Sequence, residues 1–230
     1  MEKVVGIIGG MGPEATVDFM NRIIKATSAR DDADHIRMLV DNNPKIPSRI
    51  KAILEKSGES PIPCLQDMAR RLESWGVDFL AMPCNTAHYY LPDIQAAVSI
   101  PVLDMIDLAV RTVVDQNPDI RSVGLLASTA VVRLGLYAEH FGRRNITLAT
   151  PADEAQAGIM QAIRKIKTSR YGGEVAQAIQ AGADDLLARG AEALLVACTE
   201  ISIVAEQLRS PGMVYDSAQI LAEQVVRESG

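Results

Sequence analysis

The sequence predicts an α/β protein built as two pseudo-symmetric lobes with mostly parallel sheets. Three observations carry that reading. Short apolar runs rich in Val, Ile and Leu alternate with helical segments along all 230 residues. The first run opens directly onto a glycine-rich turn. The second half then repeats the order of the first. Gly6 and Gly124 stand in equivalent first strands, 118 residues apart, and Cys84 and Cys198 follow equivalent later strands, 114 residues apart. Such a period marks internal duplication.

Each element follows from local chemistry. Residues 4–8 read as a buried strand entering Gly9-Gly10-Met11-Gly12-Pro13. Pro13 starts a helix over 13–27, because a first helical turn leaves its N–H unbonded in any case. Residues 36–40 form a second strand, closed by the polar turn Asp41-Asn42-Asn43-Pro44. Pro61 and Pro63 precede a helix over 64–74, Gly76 ends it, and 77–82 is a third strand stopped by Pro83. Residues 100–103 read as a short fourth strand and 105–114 as a helix. The order then restarts: strand 123–127, a turn at Ser128-Thr129, one helix to about residue 140, and strand 146–148. Helices over 154–167 and 171–189, strand 193–197, strand 214–216 and a helix over 217–228 complete the chain. This alternation implies right-handed βαβ units. The expected division is a Rossmann-like lobe over 1–103, a second over 104–213, and a C-terminal strand and helix, 214–230, returning to the first lobe. Ligands of open parallel sheets gather beyond the carboxyl ends of the strands. Residues 9–16, 84–88, 128–131 and 198–200 all fall at such ends, so they are expected to form one site in the cleft separating the lobes.

Composition narrows the function. A hydrophobic fraction of 48% and a charged fraction of 23% suit a globular core, and 4% aromatic residues leave aliphatic side chains to fill it. A net charge of −6 gives no pull toward nucleic acid or anionic lipid. The densest basic group, Arg164, Lys165, Lys167 and Arg170, is too short for a nucleic-acid surface. No apolar run is long enough to span a membrane and no targeting segment precedes the first strand, so a cytoplasmic protein is expected. Three cysteines, an odd number, argue against a disulfide framework and for free thiols in a reducing compartment.

The glycine turn departs from the dinucleotide fingerprint, since Ala15 stands where its third glycine belongs, and no phosphate-loop lysine follows. Its open readings are a packing turn, or a tight turn whose N–H groups at Met11 and Gly12, with the Thr16 hydroxyl, meet a small carboxylate. Cys84 and Cys198 both end a hydrophobic strand and enter a polar turn, Cys84-Asn85-Thr86-Ala87-His88 and Cys198-Thr199-Glu200. One such cysteine reads as a small buried hydrophobe. Two at repeated positions point to chemistry, whereas Cys64, at a helix start, has no such partner. No C-x-x-C or H-E-x-x-H cluster suggests a metal. A thiolate and a thiol on opposite faces of a carbon can remove a proton and return it on the other side, with no cofactor. His88 and Glu200 are candidates to orient or tune the thiols; His88 reads equally as a cap or a satisfied core group.

These motifs carry a resemblance. Met11-Gly12-Pro13 with Ala15 and Thr16, Pro83 to His88 and Cys198 to Glu200 are similar to the motifs of the cofactor-independent aspartate/glutamate racemases, and the match spans nearly the whole chain. The resemblance implies a two-domain, usually dimeric α/β fold with the substrate in the cleft, and two cysteines acting on opposite faces of it. Asn42, Pro44, Ile46, Pro47 and Arg49 resemble the stretch of the aspartate racemases whose arginine is associated with the distal carboxylate. Lys167 resembles a family lysine near the end of a long helix, which makes it a second clamp; a solvated basic face is its other reading. Ala130 and Val131 depart from a Gly-Thr pair that many members carry. The resemblance thus implies Cys84 and Cys198 as catalytic and Arg49 and Lys167 as substrate clamps; with the turn residues Met11, Gly12 and Thr16 and the thiols' neighbours Asn85, Thr86 and Thr199, these make up the expected substrate-binding set.

Three alternatives stay open on the sequence. One is a glutamate racemase, or an isomerase or decarboxylase of a small dicarboxylate on the same scaffold. The second is a non-catalytic amino-acid-binding module whose thiols only pack. The third is a thiol-dependent acyl transferase or hydrolase, which needs a cysteine–base pair more than two opposed thiols.

Overall fold

Strands made almost wholly of apolar residues form the centre of two separate parallel sheets in the computed structural model, which describes residues 2–169 and 172–230. Arg170 of the basic group and Tyr171, where the helix over 171–189 was expected to begin, lie outside the described residues, as does Met1. The chain divides into two units, one of residues up to Met105 together with Leu221–Gly230, the other Ile106–Ile220.

The first unit opens with β1 (Val5–Gly9), every residue of which is buried. Helix α1 (Pro13–Ala26) buries Ala15, Phe19 and Ile23, spaced i, i+4, i+8 along one face. Strand β2 (Met38–Asn42) follows, then α2 (Ile62–Ser74), which buries Leu65, Met68, Ala69 and Leu72. Strand β3 (Phe79–Ala81), the short α3 (Leu91–Gln95) and the start of α4 (Met105–Gln116) complete the run. The sheet order is β2-β1-β3, all parallel, with Gly6 opposite both Leu39 and Leu80. Ile8, Leu80, Met82 and Cys84 pack with the apolar stripe of α2.

The second unit holds β4 (Ser122–Ala127), α5 (Thr129–Leu134), α6 (Ala138–Gly142), β5 (Thr147–Ala149), α7 (Asp153–Ile166), α8 (Gly173–Ala188), β6 (Ala193–Ala197), α9 (Thr199–Ser202), β7 (Met213–Asp216) and the start of α10 (Ser217–Ser229). Its order, β5-β4-β6-β7, places β4 where β1 stands in the first sheet. Successive side chains leave a strand on opposite faces. Val123, Leu125, Ala193 and Leu195 accordingly pack with α4, whereas Leu126, Leu194, Val196 and Cys198 pack with α7 and α8.

The duplication is visible atom by atom. A side chain added at Gly6 would meet Leu72, Val77 and Leu80; one added at Gly124 would meet Leu186, Ala191 and Leu194. Each pair of neighbours is 114 residues apart, the same interval that separates Cys84 from Cys198. In both units a helix lies so close to the central strand that a hydrogen is all that fits.

Three sequence expectations change. The fourth strand expected over 100–103 is a single bridge from Leu80 to Val102, flanked by Leu80 N–H to the Pro101 carbonyl and Leu103 N–H to the Leu80 carbonyl. Pro101 has no N–H with which to extend the ladder. The single helix expected after Thr129 is broken into α5 and α6 by Gly135, which adopts φ +63° and closes α5. The C-terminal strand does not return to the first lobe. It pairs with β6, Leu195 opposite Tyr215, because Tyr215 is buried in the second unit's core and accepts from Asn117 Nδ2 at 3.2 Å. The return is made by the helix alone, from Leu221, where Ser229 accepts from Lys3 N–H at 3.1 Å.

Candidate active site

The glycine turn is a rigid device. Gly10 has φ +93°, and a β-carbon there would lie 2.2 Å from the Asn43 carbonyl oxygen, so only glycine fits. The hydroxyl of Thr16, buried in α1, accepts from Gly10 N–H at 2.9 Å and donates to the Gly12 carbonyl at 3.0 Å. Both roles of this hydroxyl lie within the turn. Thr16 therefore shapes the loop that carries Met11 and Gly12, of which Met11 is itself packed in the core.

Cys84 follows β3 and is buried, with φ −155° and ψ 104°. Its carbonyl accepts from Ala87 N–H at 3.1 Å and lies 2.9 Å from His88 Nδ1. On the other side of the ring, Met105 N–H points at Nε2 from 3.1 Å. Nε2 must accept there, so Nδ1 carries the proton and donates to Cys84. Burial lowers the His88 pKa below the ordinary imidazole value; the Cys84 carbonyl, Asp104 and the Leu103 backbone oppose that shift in part. His88 is thus a neutral strut from the Cys84 backbone to the start of α4. It fixes the main chain that carries the Cys84 thiol.

Cys198 follows β6 in the same way, buried, with φ −155° and ψ 118°. Ser202 N–H donates to its carbonyl at 3.1 Å. The Ser202 hydroxyl donates to Asp216 Oδ1 at 2.7 Å, and Ala218 N–H donates to that same oxygen at 2.9 Å. Residue 202 is the counterpart of residue 88 at the 114-residue interval. One imidazole in the first unit and a serine–aspartate pair in the second therefore perform the same task, tying a cysteine loop to the start of the next helix. Ser202 and Asp216 escape a motif search, but applying the repeat interval to His88 points directly to Ser202.

The surroundings of the two sulfurs differ. Glu200 stands where the first unit has Thr86, and Cys198 Sγ donates to Glu200 Oε2 at 3.1 Å. Lys167, at the C-terminal cap of α7, lies 3.4 Å from Glu200 Oε1. That separation is an ion-pair distance, but Oε1 is buried and accepts no hydrogen bond. Burial first, and then the Glu200 carboxylate, raise the Cys198 pKa well above the ordinary thiol value, against the opposing pull of Lys167. The second unit therefore presents a protonated thiol on a buried carboxylate beside a cation.

Arg49 is half-buried, with Nη1 3.2 Å from the Pro47 carbonyl and 3.5 Å from that of Ile46. It precedes a π-helical turn, Lys51–Glu55, a conformation that often marks functional sites. Its charge reaches Tyr90, six residues beyond Cys84, and opposes the upward shift that burial imposes on that phenol. Arg49 thus sits by the Cys84 segment, and Lys167 by Glu200 and Cys198. Asn85 and Thr199, each directly after a thiol, are buried, and Thr86 is half-buried. Ala130 and Val131 are both buried in α5, Val131 in the hydrophobic core. Cys64 is half-buried, with Asn43 Nδ2 3.5 Å from its sulfur.

Sequence reasoning also passed over Gln156. Positions 156, 160, 163 and 167 form one stripe of α7, and that stripe runs along the carboxyl ends of β4 and β6. Gln156 Nε2 donates to the Ala127 carbonyl at 3.0 Å and lies 3.3 Å from Thr129 Oγ1, Met160 Sδ lies 3.1 Å from Thr129 N, and Lys167 meets Glu200. Among the described residues no group of three His, Cys, Asp or Glu side chains is arranged to hold a metal ion, and no helix is long and apolar enough to cross a membrane.

Residues 8–225 match the family model described as Asp/Glu/Hydantoin racemase. The solved structure of an aspartate racemase from Picrophilus torridus superposes with a TM-score of 0.85 at 32% identity, over 99% of this chain and 94% of that one. A broad-specificity amino-acid racemase of Bacillus subtilis (strain 168) is 27% identical over 227 residues, 97% of this chain and 96% of its own. An aspartate racemase homologue from Pyrococcus horikoshii OT3 shares the fold, with a TM-score of 0.78 at 20% identity over 100% and 99% of the two chains.

Proposed function

Because the chain belongs to the Asp/Glu/hydantoin racemase family and is a racemase, we propose that it inverts the α-carbon of an acidic amino acid, aspartate before glutamate, without a cofactor. One observation carries the reading: two buried thiols at the 114-residue interval, in the same backbone conformation, each at the carboxyl end of a strand with its carbonyl tied to the residue four positions on.

In the proposed reaction the two sulfurs act on opposite faces of the α-carbon. A Cys84 thiolate takes the α-proton, and the C–H electron pair spreads into the α-carboxylate. The Cys198 thiol then delivers its proton to the other face and keeps the S–H electrons. The cycle leaves Cys84 as the thiol and Cys198 as the thiolate; the reverse turnover, or exchange with water, restores the first state. Cys198 suits the donor role, because burial and Glu200 hold the proton on its sulfur. Lys167 stabilises the charge that remains after transfer. N–H groups of the Met11-Gly12 turn, with Asn85, Thr86 and Thr199, are the proposed holders of the α-carboxylate, where preorganised donors stabilise developing charge. Arg49 is the proposed partner of the distal carboxylate through its planar fork, with Lys167 as a second cation. Thr16 serves by holding the turn. His88 and Glu200 orient and tune the thiols.

The same reading includes a homodimer and a reducing, cytoplasmic setting. Val17 and Ile24, two turns apart on α1, leave exposed apolar side chains for a partner copy, and all three cysteines are free.

The test is incubation of the reduced protein with L-aspartate, and separately L-glutamate, in heavy water with no added cofactor. The D enantiomer is expected to accumulate with deuterium at the α-carbon, and Cys84→Ser or Cys198→Ser is expected to abolish net inversion. Absence of both inversion and exchange for both amino acids overturns the proposal, as does full activity of either serine variant.

A further inference from the structure

We propose that the side-chain carbonyl of Gln156 receives the α-ammonium group of the substrate, making Gln156 a substrate-contacting residue of the second unit. The inference rests on the acidic-amino-acid reading above and adds the group that recognises the amino end.

Gln156 is fixed by one half of its amide and left unpaired at the other. Nε2 donates to the Ala127 carbonyl at 3.0 Å and lies 3.3 Å from Thr129 Oγ1, an environment that identifies it as the nitrogen, because a carbonyl oxygen cannot donate to Ala127. Oε1 is then turned away from that carbonyl. It is buried and accepts no hydrogen bond. A buried acceptor without a partner costs free energy, so it needs a donor, and a cationic donor gives the strongest bond. The position is suited to a ligand. Ala127 is the last residue of β4 and is in register with Ala197, the residue before Cys198. The amide is therefore anchored one strand spacing from the residue that precedes Cys198, at the carboxyl end of the sheet, where ligands of parallel folds bind. The proposed carboxylate partners, Arg49 and Lys167, are cations and repel an ammonium. Gln156 Oε1 supplies what they do not, a neutral acceptor that holds the amino group without competing with Glu200 for the proton of Cys198.

The test compares ligands that differ only at the amino group. Binding of aspartate and of succinate, its desamino analogue, is measured by calorimetry or competitive inhibition for the wild-type protein and for Gln156→Met, which keeps the side-chain volume and removes the acceptor. Glutamate and glutarate replace the pair if glutamate is the better substrate. The variant is expected to bind the amino acid about 10- to 100-fold more weakly and the desamino analogue within about threefold of wild type. Should Gln156→Met fail to fold, Gln156→Asn, which withdraws the amide by one methylene, is read by the same criterion. Equal weakening of both ligands, or of neither, overturns the assignment while leaving the racemase reading in place. A wild-type protein that racemises neither acidic amino acid overturns the functional reading itself, and this assignment with it.

Discussion

Replacing His88 by glutamine should flatten the pH dependence of stability on the acid side of neutrality. In the folded protein the ring is buried and neutral, Nδ1–H bonded to Cys84 and Nε2 accepting from Met105, and burial depresses its pKa below the ordinary value of 6.5. The unfolded chain, with an exposed ring, binds the proton more readily. Stability from this group is therefore fully present above about pH 6.5 and is lost as the pH falls below it toward the depressed folded value. The loss is at most RT ln(1 + 10), about 1.4 kcal/mol at pH 5.5, the limit for a ring never protonated when folded, with a limiting slope of about 1.36 kcal/mol per pH unit. That loss corresponds to roughly 3–6 °C in Tm for a chain of this size. The assay is urea denaturation followed by circular dichroism at pH 7.5 and 5.5, for the wild type and His88→Gln. His35 and His140 are common to both proteins, so the difference between the two pH-induced changes isolates His88. The variant should also be less stable at pH 7.5, by about 1–3 kcal/mol, because one residue no longer serves both buried backbone groups. Equal losses on acidification in the two proteins would refute the neutral-strut account.

Three further outcomes are expected. Glu200→Gln removes the carboxylate that helps raise the Cys198 pKa, so alkylation of Cys198 at pH 8, followed by peptide mapping, should quicken severalfold while Cys64 is unchanged; a slower or unaltered rate contradicts the assignment. Arg49→Ala should raise KM for aspartate by about 10- to 100-fold through loss of a charge-assisted contact, and should cost under about 1 kcal/mol of stability, because its guanidinium bonds to two nearby main-chain carbonyls at 3.2 and 3.5 Å and is half-buried; an unchanged KM with lowered stability would make Arg49 structural. Gly10→Ala should destabilise the protein by more than about 3 kcal/mol, since the added carbon meets the Asn43 backbone at 2.2 Å with φ at +93°; thermal denaturation at the wild-type temperature would contradict the turn described.

What the sequence by itself determined is local and repetitive. Apolar runs, glycine turns and proline boundaries located β1, β4, β6 and the long helices, because side-chain period and backbone freedom act over a few residues. The interval separating Cys84 from Cys198 exposed the duplication, because a repeated packing unit keeps its spacing, as the neighbours of Gly6 and Gly124 do. The cysteine turns, Arg49 and Lys167 were legible as residue types in suggestive places. What tertiary structure alone decided is which distant groups complete them. The tautomer of His88 depends on Met105, 17 residues away, and the unpaired oxygen of Gln156 on Ala127, 29 residues away. The state of Cys198 depends on a lysine that the end of α7 brings to Glu200, and the place of β7 on a tyrosine that only the second core can bury. Hydrogen-bond satisfaction and desolvation are properties of a packed neighbourhood, and the order of residues along a chain does not contain that neighbourhood until the chain has folded.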